Sequence, residues 1–225
     1  MSTTLKPFGL KPAYHPSGLD RATAFVGTNS FQAATDNTYN APYSLSANTA
    51  FYQYQPVGLN ASNQLTIAAT SATGGSAGTV YGVFDGVEFT DSQGRRSVAK
   101  WASKTQLDAY TQIIFWLWTD PAMVYEAQIN GSADASSIGA QYDFSGATGY
   151  TTADGISIGN GGAGFSTTAL AAAAVATTVQ GQVRVIGLGR EVAYPPGETN
   201  AWGDTYTIVQ VQIANNTFVA PKASV

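Results

Sequence analysis

From about residue 23 onward, apolar side chains recur at every second position in short runs, the period of a half-buried β-strand. Thr23–Gly27, Phe51–Val57 and Gln64–Thr70 read this way, the second ending near Pro56. Thr79–Thr90 is a strand pair or one bent strand. Tyr81, Val83, Val87 and Phe89 share one parity there, with Gly82 and Gly86 on the other. Glycine inside a strand marks a bulge or a close backbone approach. Asp91-Ser92-Gln93-Gly94 then turns the chain. Ile113–Thr119 is apolar on both faces, which predicts a central strand covered on both sides or a strand facing a partner subunit. After the Asp120-Pro121 turn, Met123, Tyr125, Ala127 and Ile129 point inward, and Val124, Glu126 and Gln128 outward. Asn130-Gly131 signals a hairpin. Gln182–Leu188 and Thr205–Ile213 are later strands, with Gln210 and Gln212 on the outward parity of the second.

Many short strands separated by turn signals predict an all-β fold, an antiparallel β-barrel or β-sandwich. One segment breaks the pattern. Thr167–Thr178 is Ala-rich and reads either as one short helix capping an open barrel end or as a loop. Residues 1–22 read as an extended arm, and 23–225 as one β-rich body with long Gly/Ser-rich loops at 71–78 and 145–166. Pro7, Pro12 and Pro16 exclude a regular helix or a central strand from the arm. Leu5, Phe8, Leu10 and Tyr14 are apolar anchors that a solvated tail does not need. Met1–Lys6 lacks the apolar run of a secretory leader.

Composition narrows the functional classes. The chain has 225 residues with aromatics at 12%, too many for disorder. It has no Cys, which removes disulfide frameworks, Cys-ligated zinc and thiol nucleophiles. No window approaches the roughly 18 apolar residues of a membrane span. Ten basic residues face 14 acidic ones, a poor balance for nucleic-acid binding. Charged residues amount to 11%, against about a quarter in an ordinary soluble domain. That shortfall points to surface covered by other chains, and secondarily to a Ser/Thr/Asn/Gln coat.

The candidate chemistry is thin. Gly159–Gly164 matches G-x-G-x-x-G, but the strands and helices of a dinucleotide fold are missing around it, so a Gly-rich loop is the better reading. Asp85, Glu88 and Asp91 could supply a glycosidase acid–base pair or calcium ligands. Asp85 and Asp91 share strand parity and Glu88 does not, so the three do not converge on a straight strand. His15 is the only imidazole, which excludes multi-His metal sites. Arg95 and Arg96, with Lys100 and Lys104, form the one basic cluster, a solvated loop or a charged contact with an acidic partner. Trp101, Trp116, Trp118 and Trp202 suit core packing, a sugar platform or a protein interface. No catalytic residue, cofactor or metal is assigned.

Several segments together carry a resemblance. They are Leu5–Leu10 through His15-Pro16-Ser17-Gly18, then Gly82–Asp91 leading to Gly94, then Thr119-Asp120-Pro121 with Val124-Tyr125-Glu126. Arg184–Leu188 and Asn200–Asp204, leading to Val209–Ile213, complete the set. In this order they resemble tailed-bacteriophage virion structural proteins of the head decoration, or cement, type. The resemblance implies a non-enzymatic protein on the capsid surface, made in the host cytoplasm. Its implied partners are the phage major capsid protein and further copies of itself, as a homotrimer or a dimer, with no nucleic acid and no membrane. The interface candidates are Leu5, Phe8, Leu10, Tyr14, Phe115, Trp116, Trp118, Arg95 and Arg96. A carbohydrate-binding module or a tail-associated adhesin is the alternative, and a glycosidase using Asp85 or Glu88 a third reading.

Overall fold

The structure, a computed structural model, describes residues 5, 7–18, 21–25, 41–47, 49–69, 78–145, 150–151, 157–158, 166–190 and 199–218. The 71–78 and 145–166 loops fall largely outside the described residues, and the Gly159–Gly164 motif wholly so.

The fold is nearly all β, with every strand ladder antiparallel. A five-stranded sheet has the order β1 (Lys11–Tyr14), β10 (Val124–Gln128), β17 (Ile208–Ile213), β16 (Val183–Leu188) and β11 (Gln141–Tyr142). A six-stranded sheet runs β2 (Thr23–Phe25), β9 (Thr111–Trp118), β6 (Gly82–Thr90), β4 (Gln55–Leu59) and β5 (Leu65–Ile67). Its sixth strand, β7 (Arg96–Ala99), pairs with the far half of β6. Three two-stranded ladders complete the set. They join β3 (Ala50–Tyr52) to β8 (Trp101–Ser103), β12 (Phe144–Ser145) to β15 (Ala169–Leu170), and β13 (Tyr150–Thr151) to β14 (Ser157–Ile158).

Two hydrophobic cores share the six-stranded sheet as a wall. The first packs Tyr125, Ala127, Val183, Val185, Val209 and Val211 of the five-stranded sheet against Val83, with Trp118 at its edge. The second lies on the opposite face, where Phe84, Val87, Phe115 and Leu117 meet Phe51, Ala102 and Leu107. A bulge makes this division. Phe84 pairs with Leu117 and Gly86 with Trp116, so Asp85 is an extra residue in β6. The insertion resets the strand's period of two. Val83, Val87 and Phe89 therefore do not share a face, as uninterrupted alternation predicted: Val83 enters the first core, and Val87 and Phe89 the second. A second irregularity sets Thr111 opposite Thr90, where Gln112 takes a φ of +51°. At Gly82 an added Cβ would lie 2.5 Å from the Trp118 carbonyl oxygen, the close approach that glycine in a strand signals.

Other elements depart from expectation for identifiable reasons. The helix in the described residues is α1 (Lys104–Ala109), away from the Ala-rich segment. Ser103 and Gln106 form a capping box at its start, and Leu107 inserts into the second core. The Ala-rich segment takes the loop alternative. Leu170 sits in β15, Ala171 N donates to Asp143 O, and Val175 N to Gln141 O. Those backbone groups are committed to neighbouring segments, which overrides alanine's helical preference. Phe51–Val57 is two strands, divided at Tyr54 with φ +66°, and Pro56 lies inside β4. It is tolerated because the β4–β5 ladder begins at Val57, and Pro56 contributes on that side only its carbonyl, which accepts from Ala68 N.

The arm is docked. β1 forms one edge of the five-stranded sheet beside β10, and Leu10 is 1% exposed in the first core. Gly9 N donates to Thr168 O and Leu10 N to Tyr54 O. Gly9 has φ +79°, and a Cβ there would collide with Tyr54 O. A buried polar network fastens the other end of the sheet. Gln182 is fully buried: Phe144 N donates to its Oε1, and its Nε2 donates to Ala69 O and Gly78 O.

Gly9→Ala is expected to undock the arm, lowering stability by at least about 1 kcal/mol and exposing the Leu10–Lys11 bond to chymotrypsin. Chemical denaturation with limited proteolysis checks this; an unchanged midpoint and an intact arm would contradict the docking. Gln182→Ala strands three backbone groups and is expected to cost about 3 kcal/mol by the same denaturation measurement.

Candidate functional site

The residues singled out for chemistry prove to be one another's partners. Arg95 pairs with Asp91 at 2.9 Å, Arg96 with Glu88 at 2.7 Å, Lys100 with Asp85 at 3.0 Å and Lys104 with Asp108 at 2.6 Å. Arg96 lies in strand β7, not in a loop as the sequence suggested. Its Nη1 donates to Gln112 O, which ties β7 to β9 across the end of β6. Asp85 Oδ1 also accepts from Gln53 Nε2. Each carboxylate of the trio thus faces its own cation, and they form no shared acid–base pair. Asp91 is held below the usual carboxylate range by hydrogen bonds from Arg95 N and Gln93 N and by the Arg95 guanidinium. No cluster of three metal-ligating side chains occurs among the described residues.

His15 is not a free imidazole on a mobile arm. Its side chain is 6% exposed. Ser17 N donates to Nδ1, and Nε2 lies 3.1 Å from Asp120 Oδ2. With Nδ1 accepting, the neutral ring carries its proton on Nε2, facing the carboxylate. The residue pins the end of β1 to the turn before β10.

The nine interface candidates separate by burial. Leu10 and Phe115 are buried in the chain's own cores, so they are corrected from interface to core. Leu5, Tyr14, Arg95 and Arg96 are exposed, and Phe8, Trp116 and Trp118 half-buried. Trp118 leans on the first core. Trp116 faces the other way from Phe115, between Ala24 of β2 and Gly86 of β6. Around it, Ile114, Glu88 and Val98 stand directly opposite one another on β9, β6 and β7. Val98 is 66% exposed. This outer face is an apolar strip set among satisfied ion pairs. Apart from this strip, Trp101 of β8 is 37% exposed and stacks on Tyr52, whose buried hydroxyl is pushed up to about 12 by desolvation.

A second surface was not anticipated. Glu126 and Gln128 hold the outward parity of β10, yet they are 6% and 1% exposed. Lys11, Glu126 and Gln210 stand opposite one another across β1, β10 and β17 and floor an open depression of about 400 Å3. Tyr14 and Arg190 also line it. Glu126 Oε1 accepts from Arg190 N.

The chain matches no family profile, no curated protein and no solved structure.

Because the folded Asp91 carboxyl titrates lower than in the unfolded chain, its contribution to stability is present above the unfolded value of about 4. It is lost as pH falls through the folded value. Asp91→Asn is therefore expected to be less stable than the parent at pH 7, with the gap narrowing as pH falls below the unfolded value of about 4 in parallel urea titrations.

Proposed function

We propose that this protein is a non-enzymatic structural component, a decoration protein of a tailed-phage head that binds the assembled shell through its outer β6–β7–β9 face. The observation that carries this reading is the composition of that face. Val98 stands exposed and Trp116 half-exposed beside the Arg96–Glu88 and Lys100–Asp85 pairs. An apolar strip with a tryptophan, ringed by charges that already have partners, suits a protein contact, since docking strands no charge. The resemblance carried by Gly82–Asp91 and Asn200–Asp204 supplies the partner: the major capsid protein, with self-association as a trimer or dimer beside it. A protein that binds the closed shell and not loose subunits shifts assembly toward the closed state. Repetition over a symmetric lattice multiplies modest contacts.

Antibody labelling of phage particles, read by electron microscopy, is expected to place the chain over the head. Label confined to the tail supports the adhesin reading, and unlabelled particles overturn both. In the purified protein, Val98→Asp and Trp116→Ala are expected to weaken self-association in sedimentation equilibrium while shifting the melting temperature by no more than about 4 °C. Trp118→Ala removes a side chain packed on the first core and is expected to cost about 3 kcal/mol.

A further inference from the structure

Tyr54 holds a backbone conformation that its residue type resists. Its φ is +66°, in the left-handed region, where a bulky residue is an outlier. Such a setting persists only where the surroundings impose it. Four hydrogen bonds converge on this turn between β3 and β4. Ser166 N donates to Gln53 O, Tyr54 N to Phe84 O, and Tyr52 N to Gln55 Oε1. The fourth comes from the arm, where Leu10 N donates to Tyr54 O at 2.8 Å. Gly9 packs on the same carbonyl so closely that a Cβ has no room. The arm therefore grips the one carbonyl whose direction the Tyr54 dihedrals set.

The other side of the turn reaches the outer face. Phe84, which accepts from Tyr54 N, pairs with Leu117 immediately before the bulge at Asp85. Gln53 Nε2 donates to Asp85 Oδ1 at 3.1 Å, and Lys100 Nζ lies 3.0 Å from both Asp85 oxygens. A continuous run of contacts leads from Gly9 and Leu10 through Tyr54 and Gln53 to Asp85 and Lys100. Within it, Tyr54 has two settings available, left-handed and extended, and the extended one is what tyrosine prefers. Extension turns its carbonyl away from Leu10 N, so it is incompatible with a docked arm.

We infer that Tyr54 is a conformational latch that couples docking of the arm to the shape of the outer face. An arm that leaves the sheet lets Tyr54 extend, which draws Gln53 off Asp85 and frees the bulge beside the Trp116 strip. Coupling of this kind is reciprocal, so a partner that fixes Asp85 from outside holds the arm down by the same factor. That second half rests on the outer face being the docking surface. The coupling itself does not, and its test contains no partner.

Native-state hydrogen exchange of the full-length protein reads the latch from the arm's end. The Leu10 amide, bonded to Tyr54 O, reports the arm, and the amides of the central strand β17 report global unfolding. Gln53→Ala is expected to speed Leu10 exchange about fivefold or more relative to the β17 amides. Val98→Asp, on the same face but outside the run of contacts, is expected to leave that ratio at the parent value. Nuclear magnetic resonance reads the other end. In Gly9→Ala, with arm release confirmed by chymotrypsin, the Gln53 side-chain amide and the Asp85 backbone amide are expected to leave their parent positions. The inference is overturned if Gln53→Ala exchanges Leu10 at the parent ratio, or if Val98→Asp raises that ratio equally. It is also overturned if a released arm leaves the Gln53 and Asp85 signals unmoved. Where Gly9→Ala does not fold, the Gln53→Ala exchange ratio decides alone.

Discussion

The pairing of β6 with β9 is the constraint on which the rest of the structure depends. These two strands form the wall that both cores share, and the bulge at Asp85 decides which side chains each core receives. Without the extra residue, Phe84 and Val87 would fall on opposite faces. With it, both join Phe115 and Leu117 in the second core, leaving Val83 and Trp118 for the first. The same insertion turns Asp85 toward Lys100 and Gln53, so one backbone irregularity partitions the interior and seats a surface ion pair. Gly82 and Gly86 permit it. Each has the backbone of a neighbouring strand where a Cβ would stand, at Trp118 and Ala99.

Much of the architecture was legible in the sequence, and the misreadings share a cause. The all-β class, the antiparallel pairing and the turns at Asp91–Gly94 and Asp120-Pro121 follow from local periodicity and turn chemistry. What local pattern does not carry is a change of phase. Tyr81, Val83, Val87 and Phe89 share one parity in the sequence, and only the glycines at 82 and 86 mark where a bulge breaks it. Helix α1 spans six residues, too few to show a helical period, and only Ser103 and Gln106 announced it. The Ala-rich segment left helix and loop both open: its composition favours helix, and the loop prevails because the Asp143 and Gln141 carbonyls claim its backbone amides. The depression over β1 was illegible because Lys11, Glu126, Arg190 and Gln210 come from four separate segments. Only the outward parity of Glu126 and Gln210 hinted at it, and their burial could not be foreseen.

The low charge count takes a clearer meaning from the ion pairs. Four cations and four carboxylates are spent on one another around β6, β7 and α1. Such pairs add little stability individually at an exposed surface, about 0–1 kcal/mol each. Their value lies in order. Arg96 bridges Glu88, Thr90 and Gln112, and so holds the outer edges of three strands in one arrangement. A surface whose charges are already matched presents shape and apolar area, which selects partners by fit more than by long-range attraction.

The docked arm has a consequence in time. Residues 9–14 are synthesised early, yet their partners are Tyr54, the strand Val124–Gln128 and Thr168. The arm cannot find its place until most of the chain has been made and the five-stranded sheet has begun to form. Contacts of such long sequence separation form slowly, because the loop between them must close first. During that interval β10 offers an open edge and Leu10 has no core to enter. A nascent chain beside another copy therefore has two possible hosts for the same arm, its own sheet and its neighbour's. Which of the two closes first is set by how fast the rest of the chain emerges and folds, relative to how close the next copy stands.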